Sequence, residues 1–443
     1  MRGLYTVLFY ASVPWMLLRL FWRGRRNAAY RERWGERFAL YRRPRRTVDI
    51  WIHAVSVGEA EAAFALVREI RRHGAWSILV TTTTPTGSAR VREVLGDTVE
   101  HVYLPYDLPD GAARFLDHFS PHLAVILETE IWPNLFLACA KRGIPLFLAN
   151  ARLSERSARR YRRIRGTLVR VLAGVRVAAQ TEDDAHRFVS IGARSEAISV
   201  TGNLKFDAEL TAPVRDTGVE LRRRWFGEGP VWLAASTHPG EEIAALDAWE
   251  RLRHEHPGLR LVLAPRHPER FEEVARLCES RGYHLARRTQ GERGWQSFDV
   301  FLLDTLGELK AFYVASDIAF VGGSLAAVGG HNVLEAAAAG TALVFGPNTW
   351  NFRQICDDLV GESAALRVGD SGELAEAVAR LARDPVLRET LVRCAFAFVE
   401  RNRGAVERHW RLLAPVLEVQ RSRERGIPVA DGCGGENSPG LQR

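Results

Sequence analysis

Residues 48–82, VDIWIHAVSVGEAEAAFALVREIRRHGAWSILVTT, contain the pattern that decides the fold. A short run of β-branched and aromatic residues is followed by a longer helical stretch and then by a second apolar run. Two strands joined through a helix lie parallel in one sheet, because such crossovers are right-handed. The stretch therefore predicts a strand–helix–strand unit of the Rossmann type.

The same alternation recurs along the chain, with one pause at about 205–228, a charged stretch that contains Pro213 and Gly218. We expect strands at 48–54, 76–82, 100–105, 122–128, 144–150 and 175–180 before the pause, strands at 230–236, 259–265, 298–304, 316–323 and 340–347 after it, and helices at 371–383 and 386–419. Two successive doubly wound units predict an α/β fold of two Rossmann-like domains that face a cleft.

Length and composition agree with this organisation. The chain has 443 residues, about three times the roughly 150 residues of a typical domain. With 47% hydrophobic and 26% charged residues it is an ordinary globular composition, which excludes disordered, collagen-like and disulfide-stapled chains. The 5 cysteines show no C-x-x-C spacing and no plausible zinc quartet, so we expect reduced structural thiols in a cytosolic body.

The positive charge of the chain comes from one segment. Lys+Arg 61 against Asp+Glu 53 gives a net charge of +8, and residues 23–46 alone, with ten Arg against Glu32 and Glu36, account for a surplus of that size. A protein that binds nucleic acid spreads its basic residues over a binding face, so we expect no nucleic-acid partner. A local polybasic segment suits the anionic lipid of a membrane surface instead.

The N-terminal residues predict a membrane anchor. Residues 3–18 carry no charge, Arg19 interrupts the run, and 20–22 resume it, which is close to the ~20 residues that span a bilayer. Because the basic segment follows the run, the positive-inside rule keeps the rest of the chain on the cytoplasmic side. The alternative is a buried N-terminal helix of a soluble protein.

These observations divide the chain into five expected regions. They are an anchor at 1–22, a polybasic membrane-proximal segment at 23–47, a Rossmann-like domain at 48–210, a second Rossmann-like domain at 211–420 and a disordered tail at 421–443.

Ligands of open parallel sheets bind at the carboxyl ends of the strands, so the loops there hold the candidate residues. After the first strand, Ser56 lies at a strand-to-helix turn and Glu59 in the first helical turn. Glu59 is a candidate general base, because burial in a closed cleft would raise the basicity of its carboxylate. The alternative is a surface glutamate favoured by the helix N-terminus.

In the second domain, Arg266 and His267 follow the strand at 259–265, and a guanidinium suits bidentate contact with phosphate. Glycines at 322, 323, 329 and 330 precede a helix that we expect to open near Asn332. Such loops and helix starts can bind an anion, and Glu335 could accept hydrogen bonds from ribose hydroxyls. The glycines match neither G-x-G-x-x-G nor a P-loop. With two sheets, the combination indicates a nucleotide-sugar transferase of the GT-B type.

Longer motifs carry a closer resemblance. They are HAVSVGE, TTTTPTGS, HVYLPYDLP, ETEIWPNL, NARLSERS, TGNLKFD, STHPGEE, APRHPERF, DTLGELKAFY and VGGSLAAVGGHNVLEAAA. Together they resemble the 3-deoxy-D-manno-octulosonic acid (Kdo) transferases, membrane-associated enzymes of Gram-negative lipopolysaccharide assembly. The N-terminal run and YRERWGERF resemble the start of that family, so the resemblance covers nearly the whole chain.

The resemblance implies a CMP-Kdo donor, a lipid A precursor (lipid IVA) as acceptor, and a single anchor at the cytoplasmic face of the inner membrane. The first domain would bind the acceptor and the second the CMP-sugar, with Glu59 as catalytic base. The implied CMP contacts are Pro265, Arg266, Leu306, Gly307, Glu308, Asn332, Val333, Leu334 and Glu335. The family often has Pro at the position of Val333, where we expect a backbone contact and little loss.

The same residues suggest a mechanism. Glu59 would take the proton of the acceptor hydroxyl, and Arg266 with the 329–335 segment would offset the charge of the departing CMP. No D-x-D pair lies beside a strand end, and Asp183–Asp184 and Asp357–Asp358 have the pattern of solvated helix faces, so we expect neither a metal nor a cofactor. One base and direct displacement imply inversion at the sugar carbon, by analogy with glycoside hydrolysis.

Other assignments stay open. Ser56, Gly329, Gly330 and Lys205 are possible sugar or phosphate contacts, although Lys205 with Asp207 could equally form a hinge salt bridge. Glu36 is expected in a salt bridge rather than as a second cleft carboxylate. The rival functions are another GT-B transferase or an epimerase acting on a UDP-sugar, and a non-catalytic membrane scaffold.

Overall fold

The computed structural model describes residues 2–26, 28–42, 44–207, 210–291 and 298–424. The chain divides into two compact units. Unit 1 takes the chain up to Asp207 and again from Gly404, and unit 2 takes Ala208–Arg403. From position 425 onward, the tail expected at 421–443 lies outside the described residues.

Unit 1 is built on a seven-stranded sheet. Its strands are β1 Ile50–His53, β2 Ile78–Thr82, β3 Glu100–Tyr103, β4 Leu123–Leu127, β5 Leu146–Ala151, β6 Val175–Ala179 and β7 Ile198–Val200. All pairings are parallel, in the order β3-β2-β1-β4-β5-β6-β7. The order reverses between β1 and β4, so the carboxyl ends of these two strands form the topological switch point where such sheets bind ligands.

Helices cover both faces of this sheet. They are α2 Val57–Arg72, α3 Pro85–Leu95, α4 Pro109–Phe119, α5 Pro133–Lys141, α6 Glu155–Arg162, α7 Arg165–Leu172 and α8 Glu182–Ile191, and a separate helix, α1 Arg2–Arg26, precedes them. Short 3₁₀ turns lie at Ala28–Arg31, Trp34–Phe38, Gly96–Thr98, Ser195–Ala197 and Leu204–Asp207. Local sequence explains several starts: proline is the first residue of α3, α4 and α5, and Thr84 and Thr181 accept N-cap hydrogen bonds.

Unit 2 repeats the architecture with a second seven-stranded sheet. Its strands are β8 Val231–Thr237, β9 Arg260–Pro265, β10 Leu285–Arg287, β11 Val300–Leu302, β12 Ile318–Val321, β13 Ala342–Phe345 and β14 Ala365–Arg367. All pairings are again parallel, in the order β10-β11-β9-β8-β12-β13-β14, and the switch point lies between β8 and β12.

Eight α-helices belong to the described part of unit 2. They are α9 Ala212–Leu221, α10 Glu241–Leu252, α11 Phe271–Ser280, α12 Leu309–Val314, α13 Leu334–Ala339, α14 Arg353–Gly361, α15 Ser371–Arg383 and α16 Pro385–Asn402. A π-helical turn at Arg222–Phe226 follows α9, and 3₁₀ turns lie at Pro268–Arg270 and Arg288–Gln290.

The expected strands are confirmed, and the central strands of each sheet, such as β1 and β8, are fully buried along their length. Three strands were not expected: β7, β10 and β14. Each has three residues and lies at the edge of its sheet, where only one side is paired. Such short, half-exposed strands leave little apolar pattern in the sequence.

The expected helix at 386–419 is two helices. The first, α16, ends at Asn402, and the second, α17 Ala405–Glu424, begins after Gly404, whose φ is +86°. Ala405, Trp410 and Leu413 of α17 are buried in the same core as strand β1 and helix α2 of unit 1. The last helix of the region expected as one domain at 211–420 therefore belongs to unit 1, because the apolar face of α17 is buried in the core of unit 1.

Helix α1 is long and apolar enough to cross a membrane by length and composition, over Gly3–Arg25. Its first half also contacts Asp107 and Asp110, near the start of α4. The Tyr5 hydroxyl donates to Asp107 Oδ2 at 2.9 Å, and the Tyr10 hydroxyl donates to Asp110 Oδ1 at 2.5 Å. Large apolar side chains are nevertheless exposed along the helix, namely Leu4, Val7, Leu8, Trp15, Leu18 and Trp22. This exposure contradicts the alternative of a buried N-terminal helix.

Candidate functional site

The first candidate region is the switch point of unit 1, where α2 follows β1. Ser56 is the N-cap of α2, and Glu59 lies in its first turn. The Val55 N–H donates to Glu59 Oε2 at 2.7 Å, and the Ser56 hydroxyl donates to Glu59 Oε1 at 3.1 Å. The side chain thus folds back over the loop after β1 and closes the helix start. Sequence reasoning had placed both residues there.

Glu59 is 8% exposed, and burial raises the pKa of its carboxyl to about 7. The negative charges of Glu128 and Glu130 raise this pKa further, while the bonds from Val55 and Ser56 lower it. A carboxyl that titrates near neutral pH is ionised for half of the molecules at pH 7 and is a stronger base than a solvated glutamate. That is the property required of a general base.

Two further glutamates at this edge were not singled out from the sequence. Glu128 and Glu130 follow β4, the strand across the switch point from β1, and burial raises the pKa of Glu130. Lys205 Nζ lies 4.0 Å from Glu128 Oε1, and burial lowers the pKa of Lys205. The signal was present: the Glu-Thr-Glu of ETEIWPNL directly follows an apolar strand, as the loop with Glu59 does.

Lys205 and Asp207, expected to contact sugar or to form a hinge salt bridge, have separate partners. Lys205 faces Glu128, as described above. Asp207 accepts hydrogen bonds from the N–H groups of Gly404 at 2.7 Å and Val406 at 2.5 Å, so it caps α17. Asp207 is therefore a structural residue of unit 1.

The second candidate region is the carboxyl edge of the unit 2 sheet, and most of the implied donor contacts lie on its loops. Pro265 ends β9, and Arg266 follows it with an exposed side chain. Leu306, Gly307 and Glu308 lie in the loop after β11, the neighbour of β9. The Glu308 carboxylate accepts from the Arg288 guanidinium at 2.7 Å and from the Thr305 hydroxyl.

The segment 332–335 follows β12, on the other side of β8 from β9. Asn332 Oδ1 accepts from the Leu334 N–H at 3.1 Å, while Val333 and Leu334 are buried. Glu335 Oε1 lies 3.7 Å from Lys310 Nζ, so the start of α13 is linked to the start of α12, which follows Glu308. The helix expected to open near Asn332 begins two residues later and has six residues.

The glycine-rich loop after β12 differs from the expectation. Its N–H groups are turned toward a carboxylate of the protein itself, Glu241, which opens α10 after β8 and is 1% exposed. Glu241 accepts five backbone N–H groups, those of His238, Gly323, Ser324, Leu325 and Ala326, at 2.7–3.0 Å. These donors are therefore already used inside the protein.

Gly329 and Gly330 also differ from the expectation that they contact sugar or phosphate through their N–H groups. Both N–H groups donate to the carbonyl of Gly323, at 3.0 and 2.7 Å. A Cβ on Gly329 would lie 2.4 Å from the Trp350 indole nitrogen, so glycine is required there by packing. The two glycines close the loop.

Three histidines lie on adjacent loops at the same edge. His238 follows β8, His267 follows β9 and His331 follows β12. His238 Nε2 and His331 Nε2 are 2.8 Å apart with their rings nearly parallel, and the His267 ring packs edge-on against His238 at 5.3 Å. In the sequence, the motif around His238 is identified by its family resemblance and the loop around His331 by its glycines, but neither histidine is singled out, because an isolated histidine in a loop carries no periodic signal.

One group of possible metal ligands occurs among the described residues, Glu69, His73 and Glu407, between α2 and α17. Its carboxylates are already paired, Glu69 with Arg72 at 3.1 Å and Glu407 with Arg411 at 2.9 Å. The two Asp–Asp pairs are engaged as well. Asp183 pairs with Arg187, Asp184 is buried and accepts from the Leu153 N–H, Asp357 pairs with Arg367 and Asp358 accepts from Gln354.

The polybasic segment is partly built into unit 1. Arg33 forms a salt bridge with Glu36 at 2.7 Å and donates to the His101 carbonyl, and Glu36 accepts from the Tyr103 N–H at 2.8 Å. Arg37 is buried over the Tyr103 ring and donates to the Thr83 carbonyl. The salt-bridge role expected for Glu36 is confirmed. Arg23, Arg25, Arg31, Arg42 and Arg45 remain exposed.

Comparison with known proteins gives a consistent set of relatives. A family model described as 3-Deoxy-D-manno-octulosonic-acid transferase (kdotransferase) matches residues 32–208. The 3-deoxy-D-manno-octulosonic acid transferase of Haemophilus influenzae is 39% identical over 94% of this chain and 99% of its own length. The enzyme of the same name from Bordetella pertussis is 36% identical over 92% and 97%.

Solved structures with the same fold have lower sequence identity. UDP-GlcNAc 2-epimerase from Neisseria meningitidis superposes with a TM-score of 0.56 at 14% identity, covering 84% of this chain and 100% of that one. A glycosyltransferase from Rickettsia africae gives a TM-score of 0.52 at 12% identity, covering 85% and 100%. With the two parallel sheets, these likenesses confirm the expected GT-B fold class.

Proposed function

The chain belongs to the 3-deoxy-D-manno-octulosonic acid (Kdo) transferase family, and from that membership we propose that it moves Kdo from CMP-Kdo to lipid IVA with inversion at the anomeric carbon. The observation that carries the proposal is Glu59, a buried carboxylate with a pKa of about 7 at the switch point of unit 1. Two further features support the proposal. The implied donor contacts lie on loops at the carboxyl edge of the unit 2 sheet, and α1 has an exposed apolar face.

In this mechanism Glu59 removes the proton from the acceptor hydroxyl as its oxygen attacks the anomeric carbon. Among the described residues, Glu59 Oε1 accepts one hydrogen bond, from the Ser56 hydroxyl at 3.1 Å, which leaves a lone pair for the incoming proton. The nearby charges of Glu128 and Glu130 favour the protonated product, which increases the driving force for proton removal. One base and one displacement invert the sugar carbon.

We propose that the donor binds along the loops after β9, β11 and β12. Glu308 and Glu335 are each held by a cation, Arg288 and Lys310, and their remaining lone pairs suit ribose and cytosine donors. Arg266 is exposed beside Pro265 and offsets the charge that develops on the departing phosphate. Transfer in this proposal needs no metal, since a guanidinium supplies the positive charge.

We also propose that α1 lies in the cytoplasmic interface of the inner membrane rather than across the bilayer. A helix that crosses the membrane leaves its far half outside the cytoplasm, whereas Tyr5 and Tyr10 of α1 hydrogen-bond to Asp107 and Asp110 of unit 1. The exposed apolar side chains, which include two tryptophans, suit the boundary of headgroups and acyl chains. The exposed arginines that follow suit anionic headgroups.

The direct test incubates the full-length protein with lipid IVA and either CMP-Kdo or UDP-hexoses, with mass spectrometry of the lipid. We expect products heavier by Kdo units only with CMP-Kdo, the same yield in EDTA, and an inverted anomeric configuration by NMR. Transfer from a UDP-hexose, or epimerisation of a UDP-sugar, would identify another GT-B enzyme. CMP-Kdo that stays intact with every lipid A precursor would favour a membrane scaffold.

The membrane proposal has its own measurement. Flotation with vesicles that contain anionic lipid should lose most of the bound protein when Leu8 and Trp15 are both replaced by Ser. A matched replacement, Val219→Ser, removes an equally exposed apolar side chain from unit 2 and should leave flotation unchanged. Equal loss in both variants would contradict the assignment of the membrane contact to α1.

A further inference from the structure

Three histidines of unit 2, His238, His267 and His331, form a cluster that has no part in the mechanism above. His238 Nε2 and His331 Nε2 approach to 2.8 Å, and His267 packs against His238. The three side chains follow β8, β9 and β12, which are adjacent in the sheet and include both strands of the switch point. Ligands of parallel sheets bind at this edge.

The surrounding loop is shaped around the imidazoles. Glu241 accepts the N–H groups of His238 and Gly323, which holds the loops after β8 and β12 together. A Cβ on Gly323 would lie 3.0 Å from two atoms of the His331 ring and 3.5 Å from His238. Glycine at this position therefore makes room for the paired rings.

A distance of 2.8 Å between two ring nitrogens is that of a hydrogen bond and requires a proton between them. Two histidine nitrogens bound to one zinc ion at 2.0–2.1 Å in tetrahedral geometry would be about 3.3 Å apart. The pair is thus built around a shared hydrogen, with one imidazole donating and the other accepting.

Burial lowers the pKa of His238 and lowers that of His331 to about 3, so both rings are neutral at pH 7. The charged and titratable groups that face the pair are Arg266, His267, Glu241 and Glu242. Glu242 is neutralised by Arg270 at 2.5 Å, and Glu241 is surrounded by backbone N–H groups. An anion bound at this edge beside Arg266 would raise the pKa of the two imidazoles and favour a protonated pair.

We propose that His238 and His331 form, with Arg266, the phosphate-binding subsite for a nucleoside monophosphate, and that the dianion binds together with one proton. The proposal deepens the donor assignment above and rests on it. During transfer, the bond between the anomeric carbon and the phosphate oxygen breaks and its electron pair stays on the oxygen. The phosphate gains one negative charge, and a proton from solvent on the imidazole pair offsets it.

The test is calorimetric titration of the full-length protein with CMP and with cytidine, at pH 7.5 and 8.5, in two buffers of different ionisation enthalpy. At these pH values the CMP phosphate, with a second pKa of about 6, is already a dianion. Proton uptake on binding therefore reports on the protein. We expect uptake approaching one proton with CMP and none with cytidine, and weaker CMP binding at the higher pH.

The variant that separates charge from geometry is His331→Gln, because its amide reaches the Nε2 position and keeps a hydrogen bond to His238 but does not take up a proton. We expect CMP affinity to fall about tenfold at pH 7.5, which is the effect of one pKa unit. Proton uptake should disappear, while cytidine binding stays as in the wild type. His284→Asn, an exposed histidine of unit 2, is the matched control and should change nothing.

The wild type gives a result even where a variant fails to fold. CMP binding without proton uptake, or loss of CMP binding in EDTA, would overturn the proposed subsite while leaving Kdo transfer from CMP-Kdo intact. Unchanged affinity and proton uptake in His331→Gln would overturn it too. A wild type that binds no CMP would overturn the donor assignment together with the subsite.

Discussion

At the edge of each sheet a glutamate follows the first strand beside the switch point: Glu59 after β1 and Glu241 after β8. Both are buried, and both lie in the first turn of the next helix. Glu241 accepts five backbone N–H groups, whereas Glu59 accepts one backbone N–H and one hydroxyl. Five donors stabilise the buried charge of Glu241 and make it a brace for the glycine-rich loop.

Burial raises the pKa of Glu59 to about 7, because its fewer donors stabilise the charge only in part and its two acidic neighbours raise the pKa further. The comparison shows that topology brings a carboxylate to the ligand-binding edge of each sheet. The number and kind of donors around it then decide how strongly its negative charge is stabilised. Substitutions of Glu59 and Glu241 test whether the two carboxylates have different roles. Substitutions of the residues around Glu59 test what sets its pKa.

The largest expected effect is on catalysis. Glu59→Gln should lower kcat for Kdo transfer by about 10²–10⁴-fold, the usual contribution of a general base. Stability should not fall with it. The folded pKa of Glu59 is higher than its unfolded value, so this carboxyl lowers the free energy of unfolding as pH rises from about 4.5 to 7, and glutamine removes that penalty.

The measurements are initial rates and melting temperature at pH 8, with CMP affinity as a check on unit 2. Glu61→Gln, an exposed carboxylate two residues further along α2, is the control and should retain activity. Full activity in Glu59→Gln would refute its role as the base.

Glu241→Gln should have the opposite profile. The amide group presents N–H donors to backbone N–H donors, so at least one buried donor loses its partner, at a cost of about 1–3 kcal/mol each. We expect a lower melting temperature and weaker CMP binding, because the loop with His331 loses its brace. Glu389→Gln, on an exposed part of α16, should leave both unchanged. A variant as stable as the wild type would show that the five hydrogen bonds do not brace the loop.

The pH profile provides a smaller and more specific effect. Because the base must be ionised, kcat should rise with pH through about 7 and level off above it. Glu128→Gln removes the negative neighbour with the larger effect on Glu59, so the rising limb should move to lower pH by several tenths of a unit or more. Rates measured from pH 5.5 to 9 would detect the shift, and a limb that stays in place would exclude coupling between the two carboxylates.

Ser56→Ala should produce the smallest effect, in the other direction. The Ser56 hydroxyl bond favours the ionised form of Glu59, so its loss raises the pKa of Glu59 and moves the limb to higher pH by a few tenths of a unit. The opposite shifts of Ser56→Ala and Glu128→Gln, measured in the same buffers, would locate the titrating group at Glu59. Shifts of the same sign would point to another group.

The sequence predicts much of this fold because its strands are buried on both faces and therefore appear as continuous apolar runs, as at 123–127. It does not predict β10 or β14, which are too short for periodicity, nor the return of α17 to unit 1. The contacts of α17 with α2 join residues more than 300 positions apart, and helical periodicity carries no information about which core a helix will join.

The site divides in the same way. The locations of Glu59 and Arg266 are predictable because Arg266 directly follows a buried apolar strand and Glu59 lies in the first turn of the helix after another one, where topology fixes the location. The sequence does not predict what the N–H groups of the glycine-rich loop bind, because their acceptor, Glu241, follows a different strand. The pairing of His238 with His331 likewise depends on two loops that are 93 residues apart in sequence.

The return of α17 also sets the order in which the protein matures during translation. Domains usually fold from the N-terminus as the nascent chain emerges from the ribosome. Here Trp410, Leu413 and Leu417 complete the core around Ile52 and Phe64, so unit 1 stays unfinished until all of unit 2 has been synthesised. A message cut short within unit 2 would leave unit 1 without its last helix, so the core around Glu59 is completed only after α17 has been translated.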